Sequence, residues 1–237
     1  MTNAYLEGVL RRRVNDLDDS LDNETLFFDT CGLNLGPWDG QQYSLIFDDH
    51  TPLNSDVIEW PKQIMENTAT LMNTYKSKIT PGVHDEVNAL TRKLTKTYHA
   101  SKDQLPAGEQ SRLNHLLYEQ FSFNQRIQDH VFHWPDNIAP IIRSHIPESK
   151  YQADETDINL VANACEYARR FNESVSIVTA DKDIPTYTSF FNNTKYADAY
   201  PMNDVSISFF RDEQTLKTTK YDNLPQDRSI KKAFTNP

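Results

Sequence analysis

The sequence predicts an α/β fold: a central, mostly parallel sheet with helices on both faces and a helical insertion. Three observations predict it. Short apolar runs at Thr25–Phe28, Lys78–Thr80, Val175–Thr179 and Val205–Phe210 have the length and composition of buried strands. Between them lie longer stretches with apolar residues at helical spacing, and such alternation places a parallel sheet between helices. Two of the strands stop at acids, Asp29 and Asp181, which marks the sheet's carboxyl edge as the place where a ligand would sit.

A chain of 237 residues allows one sizeable core, since a chain of this size buries roughly 70–75% of the surface it exposes when unfolded. The opening stretch runs through Arg11, Arg12 and Arg13 into Asp16, Asp18 and Asp19 without an apolar stretch of signal-peptide length, and no run is long enough to span a membrane. A cytoplasmic protein without a membrane is expected. The two cysteines, Cys31 and Cys165, exclude a disulfide scaffold and read as small buried hydrophobes in a reducing compartment. A net charge of −10 argues against indiscriminate nucleic-acid binding, because phosphate neutralisation needs Lys and Arg. It leaves room for a local basic groove, with Arg11-Arg12-Arg13, Lys76/Lys78, Arg92/Lys93/Lys96, Arg169/Arg170 and Lys217/Lys220 as candidate patches. Each is also what a solvated face looks like.

In chain order, residues 1–23 form a charge-rich lead-in, with a helix over Tyr5–Val14. The first strand begins at Thr25 and ends in the turn Asp29-Thr-Cys-Gly32. A loop follows, with a short strand at Tyr43–Phe47, and then a helix over Ser55–Tyr75 carrying Ile64, Leu71, Met72 and Tyr75. The second strand, Lys78–Thr80, leads directly into a helix: Thr80 is its cap and Pro81 its first position. Val83, Val87, Leu90 and Leu94 give that helix one buried stripe, and Glu86 flanks the stripe near the helix start. Residues 99–150 read as a mostly helical insertion or cap, broken at Gln104–Gly108 and continuing through Leu113, Leu116, Leu117, Phe121, Ile127 and Val131. Asp154–Asp157 opens a further helix, with Ile158, Val161, Cys165 and Ala168 on one face. Val175–Thr179 is a strand ended by Ala180-Asp181-Lys-Asp183, and Val205–Phe210 is the last. From Arg211 onward a polar, basic tail is expected.

The chemistry lies in the acids. Asp29 and Asp181 end strands, and Glu86 and Asp157 stand near helix starts that face the same edge. Carboxylates converging there repel one another unless a cation is present. A hard divalent ion takes oxygen ligands, and Mg²⁺ binds through one or two carboxylates while keeping its waters. Such an ion supports phosphodiester hydrolysis. Each acid also has a bland role: Asp154 and Asp157 as helix caps, Glu86 as a first-turn acid, Asp29, Asp181 and Asp183 as turn formers. The ordered set favours function over the sum of these.

Leu26-Phe-Phe-Asp29-Thr-Cys, Ile79-Thr-Pro-Gly-Val-His-Asp-Glu86-Val, Thr156-Asp157-Ile-Asn-Leu-Val-Ala-Asn-Ala164 and Ser176-Ile-Val-Thr-Ala-Asp181-Lys-Asp183-Ile together resemble the four acidic motifs of the PIN-domain nucleases. The resemblance covers roughly residues 25–98 and 153–210. It implies a Rossmann-like three-layer α/β/α sandwich spanning residues 24–210, interrupted by the insertion at about 99–150. The implied activity is that of an endoribonuclease dependent on Mg²⁺ or Mn²⁺, acting on RNA through Asp29, Glu86, Asp157 and Asp181. Asp183 joins the metal ligands or supports Asp181. The chain is larger than the compact toxin members of the family, and its insertion stands ready to gate the groove or to bind a protein partner.

The alternative is a catalytically silent PIN-like module serving as an RNA-binding or protein-interaction scaffold. Toprim-type nucleases also end in an acid-x-acid turn but leave Asp29 and Asp157 unexplained. Asp29-Thr30-Cys31 lacks the second acid of haloacid-dehalogenase-like phosphatases. His115, His130, His133 and His145 in the insertion lack the carboxylate pattern of a zinc helix and read as structural.

Overall fold

The computed structural model describes residues 24–33, 65–66, 68–70, 72–132, 155–179, 181, 183–184, 187, 205–212 and 215–219. The expected helix at Tyr5–Val14, the strand at Tyr43–Phe47 and the first half of the helix at Ser55–Tyr75 lie outside them. The elements are β1 (Thr25–Phe28), α1 (Thr30–Leu33), β2 (Ser77–Lys78), α2 (Pro81–Ser101), α3 (Ala107–Gln128), α4 (Glu155–Phe171), β3 (Val175–Thr179), β4 (Val205–Asp212) and β5 (Thr215–Thr219). Helical residues within 65–74 precede β2.

The strands form one sheet in the order β2-β1-β3-β4-β5. The first four run parallel, with Phe27 opposite Lys78 and Ile177, and Ile177 opposite Ile207. The fold is therefore mixed α/β. Side chains alternate across a strand, and β1 shows it plainly. Leu26 and Phe28 join Val178 and the apolar faces of α2 and α3 in one core, while Phe27 joins Val175, Ile177 and α4 in the other. Leu26, Phe27 and Phe28 are fully buried; at about 1.5–3 kcal/mol each they contribute on the order of 5–9 kcal/mol of hydrophobic stabilisation.

α2 starts where its cap places it. Thr80 is extended and its hydroxyl accepts the Val83 N–H at 3.4 Å, with Pro81 next in line. Val83, Val87 and Leu94 are buried along the expected stripe, with Leu90 packed partly against the same core. α4 ends in a Schellman-type turn: Asn172 takes the left-handed conformation at φ 51°, and the Glu173 N–H reaches back to the Ala168 carbonyl.

Three expectations are corrected. In the region read as an insertion or cap at 99–150, α3 is part of the core: Leu113, Leu116, Phe123 and Ile127 bury against α2 and the sheet, while residues 133–150 lie outside the described residues. The chain then returns to the sheet edge, where Val131 bridges Ile79 in parallel and the Phe132 N–H donates to the Ile79 carbonyl at 2.8 Å. That return explains the second correction. Only Ser77 and Lys78 pair with β1, and Ile79 bonds outward to His130 and Phe132, so the strand read at Lys78–Thr80 is shorter and begins one residue earlier. Third, the sheet does not stop at Phe210. β4 continues to Asp212, and the stretch read as a polar tail supplies β5, antiparallel to β4 with Phe209 opposite Lys217. No helix among the described residues is long and apolar enough to cross a membrane.

Candidate functional site

The parallel strands point their carboxyl ends one way, and the first turns of α2 and α4 lie at that same edge, since each helix runs back along the sheet. The two turns touch: a Cβ placed on Gly82 would come within 3.1 Å of the Thr156 side chain. Asp157, in the first turn of α4, is thus carried to the rim where Asp29 and Asp181 end β1 and β3, and Glu86 follows the first turn of α2 rather than standing in it.

Asp29 is the centre of the arrangement. It is 4% exposed, and its carboxylate accepts three hydrogen bonds: from the Thr30 N–H at 2.6 Å, the Cys31 thiol at 2.6 Å and the Thr179 hydroxyl at 2.7 Å. Those donors favour ionisation, yet burial outweighs them and, with the nearby charge of Asp181, raises its pKa from the ordinary 3.8 to about 6. Among the described residues, no cationic side chain is one of the groups that set its protonation.

The same hydroxyl that donates to Asp29 accepts the Asp181 N–H at 2.9 Å, so Thr179 ties the ends of two adjacent strands together. The Asp181 carboxylate is exposed and is steadied by the Asp183 N–H at 2.9 Å. This places Asp183 behind Asp181 through its backbone. Glu86 joins from α2 by accepting the Thr30 hydroxyl. Asp157 stands nearly buried in the first turn of α4.

The close approach of α1 to β3 depends on one glycine. A Cβ on Gly32 would fall 2.0 Å from the Val178 carbonyl oxygen, which also accepts the Asp29 N–H at 3.1 Å. Only a residue without a side chain lets the Thr30–Cys31 turn settle over Thr179. A run of Asp-Thr-Cys-Gly after a buried strand was the available signal.

Asp29, Asp181 and Glu86 therefore belong to one hydrogen-bonded set, linked by Thr30 and Thr179, and Asp157 and Asp183 share their rim. Among the described residues no three Asp, Glu, His or Cys side chains are gathered into a ready-made ion cage. The donors available are all hard oxygens on a buried acid and an exposed one, which suits an ion that needs one or two carboxylates and keeps its waters.

Sequence reasoning missed Thr30, Thr179 and Cys31, whose roles exist only once β1 and β3 are side by side. The reading of both cysteines as small buried hydrophobes needs a correction. It suits Cys165, which burial pushes up to about 12. It does not suit Cys31, which is half-buried and donates to Asp29. Of the histidines, His130 lies 3.2 Å from the Ser77 carbonyl through Nδ1, and His115 pairs with Glu119; His133 and His145 lie outside the described residues. Comparisons of the chain with protein-family models, with curated proteins and with solved structures found no match.

Proposed function

We propose that the chain is a divalent-metal-dependent endoribonuclease of the PIN-like kind, with a Rossmann-like three-layer α/β/α architecture, working in the cytoplasm. The observation that carries the reading is Asp29: an acid buried at the end of a central strand, near the charge of Asp181 and with no cationic side chain of the described residues among the groups that set its protonation. Burying an uncompensated carboxylate is costly, and an arrangement held by three donors is best explained by a cation it is built to receive.

On this reading Asp29 and Asp181 hold Mg²⁺ or Mn²⁺, with Glu86 and Asp157 completing the acidic rim and Asp183 supporting Asp181. A bound ion supplies Lewis-acid stabilisation of the phosphodiester oxygens and a water of lowered pKa. The chain's own residues do the positioning. Thr30 and Thr179 fix the carboxylate of Asp29 in one orientation, and Gly32 lets their turn approach. The buried cluster keeps its charge out of bulk solvent, where the attraction for an ion would be screened.

The alternative of a silent RNA-binding or protein-binding scaffold draws on the lack of a ready-made three-ligand cage among the described residues. Mn²⁺-dependent cleavage of a panel of single-stranded and structured RNAs separates the two. Asp29→Asn and Asp181→Asn should each abolish cleavage while leaving the fold intact. Wild-type cleavage in both variants, or cleavage that persists in EDTA, would remove this site from the reaction.

A further inference from the structure

α2 and α3 form a helical hairpin, and along its outer side opens a cleft of about 330 Å³. His84, Asn88 and Arg92 line it from α2 at helical spacing, and Phe121, Gln125 and Gln128 from α3. The lining is unlike an ordinary helix–helix seam. Phe121 is 51% exposed, although a large aromatic beside a packed hairpin is ordinarily turned inward, and Tyr118, three residues earlier, is 69% exposed. Residues three apart share a helical face. The buried apolar contacts of α3 are already made by Leu113, Leu116, Leu117, Phe123 and Ile127.

Beneath the cleft lies a polar network in place of an apolar one. Asn124, 8% exposed, donates to Asn88 at 2.9 Å and to Thr91 at 2.7 Å, and accepts from Gln120 at 3.1 Å. Its Asn88 partner lies 3.4 Å from the His84 ring. Buried amide networks hold their members in fixed orientations, so the amides at the floor are held in place. The cleft therefore offers an aromatic surface, fixed amides, free-standing glutamines on its rim and a cation, Arg92. The first turn of α2, which carries His84, is at the carboxyl edge beside Glu86. From His84 to Arg92 the cleft runs roughly 12 Å along the helix, at about 1.5 Å per residue.

We propose that this cleft is a binding subsite for an unpaired base of single-stranded RNA, stacked on Phe121, with Arg92 meeting the adjoining phosphate. Unpaired bases are recognised by stacking on aromatic rings and by hydrogen bonds to their exposed edges. Amide side chains carry both donors and acceptors for those edges. The choice of RNA over other nucleic acid rests on the nuclease reading above. A protein with net charge −10 needs local cations to approach phosphate at all, and Arg92 supplies one beside the ring.

The test binds the full chain, in EDTA and at low salt, to a short single-stranded RNA carrying 2-aminopurine, read by anisotropy and by quenching of the fluorescent base. Phe121→Ala should weaken binding by about fivefold to 150-fold, as loss of one base–aromatic stack requires, and should abolish quenching. Phe121→Tyr should restore both. Arg92→Gln should weaken binding and flatten its salt dependence. A duplex of the same sequence should compete poorly. Affinity within twofold of wild type in Phe121→Ala, equal binding of the duplex, or no binding of RNA would overturn the proposal. The nuclease reading is scored separately by Mn²⁺-dependent cleavage. Cleavage with no loss of affinity in Phe121→Ala defeats the cleft and leaves the metal site standing, whereas affinity lost in Phe121→Ala with no cleavage by the wild type does the reverse.

Discussion

Replacing Asp29 by Asn should change stability with a sign that depends on pH. The native carboxyl is raised from 3.8 to about 6, chiefly by burial. Between those values the folded chain holds a proton that the unfolded chain has released, so wild-type stability falls as pH rises through the window and is flat above it. Carrying the acid from 3.8 to about 6 costs the ionised native state about 3 kcal/mol, at about 1.4 kcal/mol per tenfold change in proton affinity. Asn does not titrate, but its amide nitrogen must sit where a carboxylate oxygen accepted from Thr179 and Cys31. Rearranging those donors costs about 1 kcal/mol. Asp29→Asn should therefore be less stable than wild type by about 1 kcal/mol below pH 4 and more stable by about 2 kcal/mol above pH 7, with the curves crossing between pH 4 and 6. Urea unfolding of both proteins in EDTA across pH 3.5–8 measures this, since the shared titrations cancel in the difference. A difference that does not vary with pH, or an Asn variant less stable throughout, would refute the assignment of Asp29 as a buried acid without a cation.

The same site should respond to metal. Mn²⁺ at a hundredfold excess over its dissociation constant should stabilise the wild type by about 2.7 kcal/mol, or about 5–10 °C in Tm for a chain of this size; scanning calorimetry on Asp29→Asn should show little of that gain, and an equal gain in both would place the ion elsewhere. Gly32→Ala should unfold the chain or cost more than about 4 kcal/mol, because the added methyl meets the Val178 carbonyl backbone at 2.0 Å. Gly108→Ala is the control: nothing lies within 4 Å of a Cβ there, and the gain in helix propensity should stabilise α3 by up to about 1 kcal/mol. Asn124→Leu should cost about 1–3 kcal/mol in urea unfolding by leaving Asn88, Thr91 and Gln120 without the bonds it makes; a neutral result would mean the network is replaceable by apolar packing.

How far the fold could be read in advance depended on whether a signal was local. Thr80-Pro81 declares a helix start by itself, and Val83, Val87 and Leu94 need only their own spacing to announce a buried stripe. β1 and β3 were legible for a similar reason, since Leu26-Phe-Phe28 and Val175–Thr179 are short runs buried on both faces, with only the small polar side chains of Ser176 and Thr179 among their apolar residues. β5 carried no such mark. It is an edge strand of Thr215-Leu-Lys-Thr-Thr219, and a strand paired on one side tolerates polar residues that a central one excludes. β2 was misplaced by one residue because its outer partner, Val131, lies 52 positions on from Ile79, too far for any local pattern to reveal. The candidate site divides along the same line. Asp29 and Asp181 were visible as acids closing apolar runs, since a chain leaving a sheet's carboxyl edge needs a turn former there whatever its role. What distinguishes a turn former from a reactive acid is its company, and that company is non-local: Thr179 stands 150 residues from Asp29 and Glu86 stands 56 from Thr30. The hydroxyls and thiol that hold the carboxylate in place are ordinary strand-end and turn residues until β1 pairs with β3. Only then does the charge of Asp181 come close enough to act on Asp29, and on that proximity the proposed metal chemistry rests.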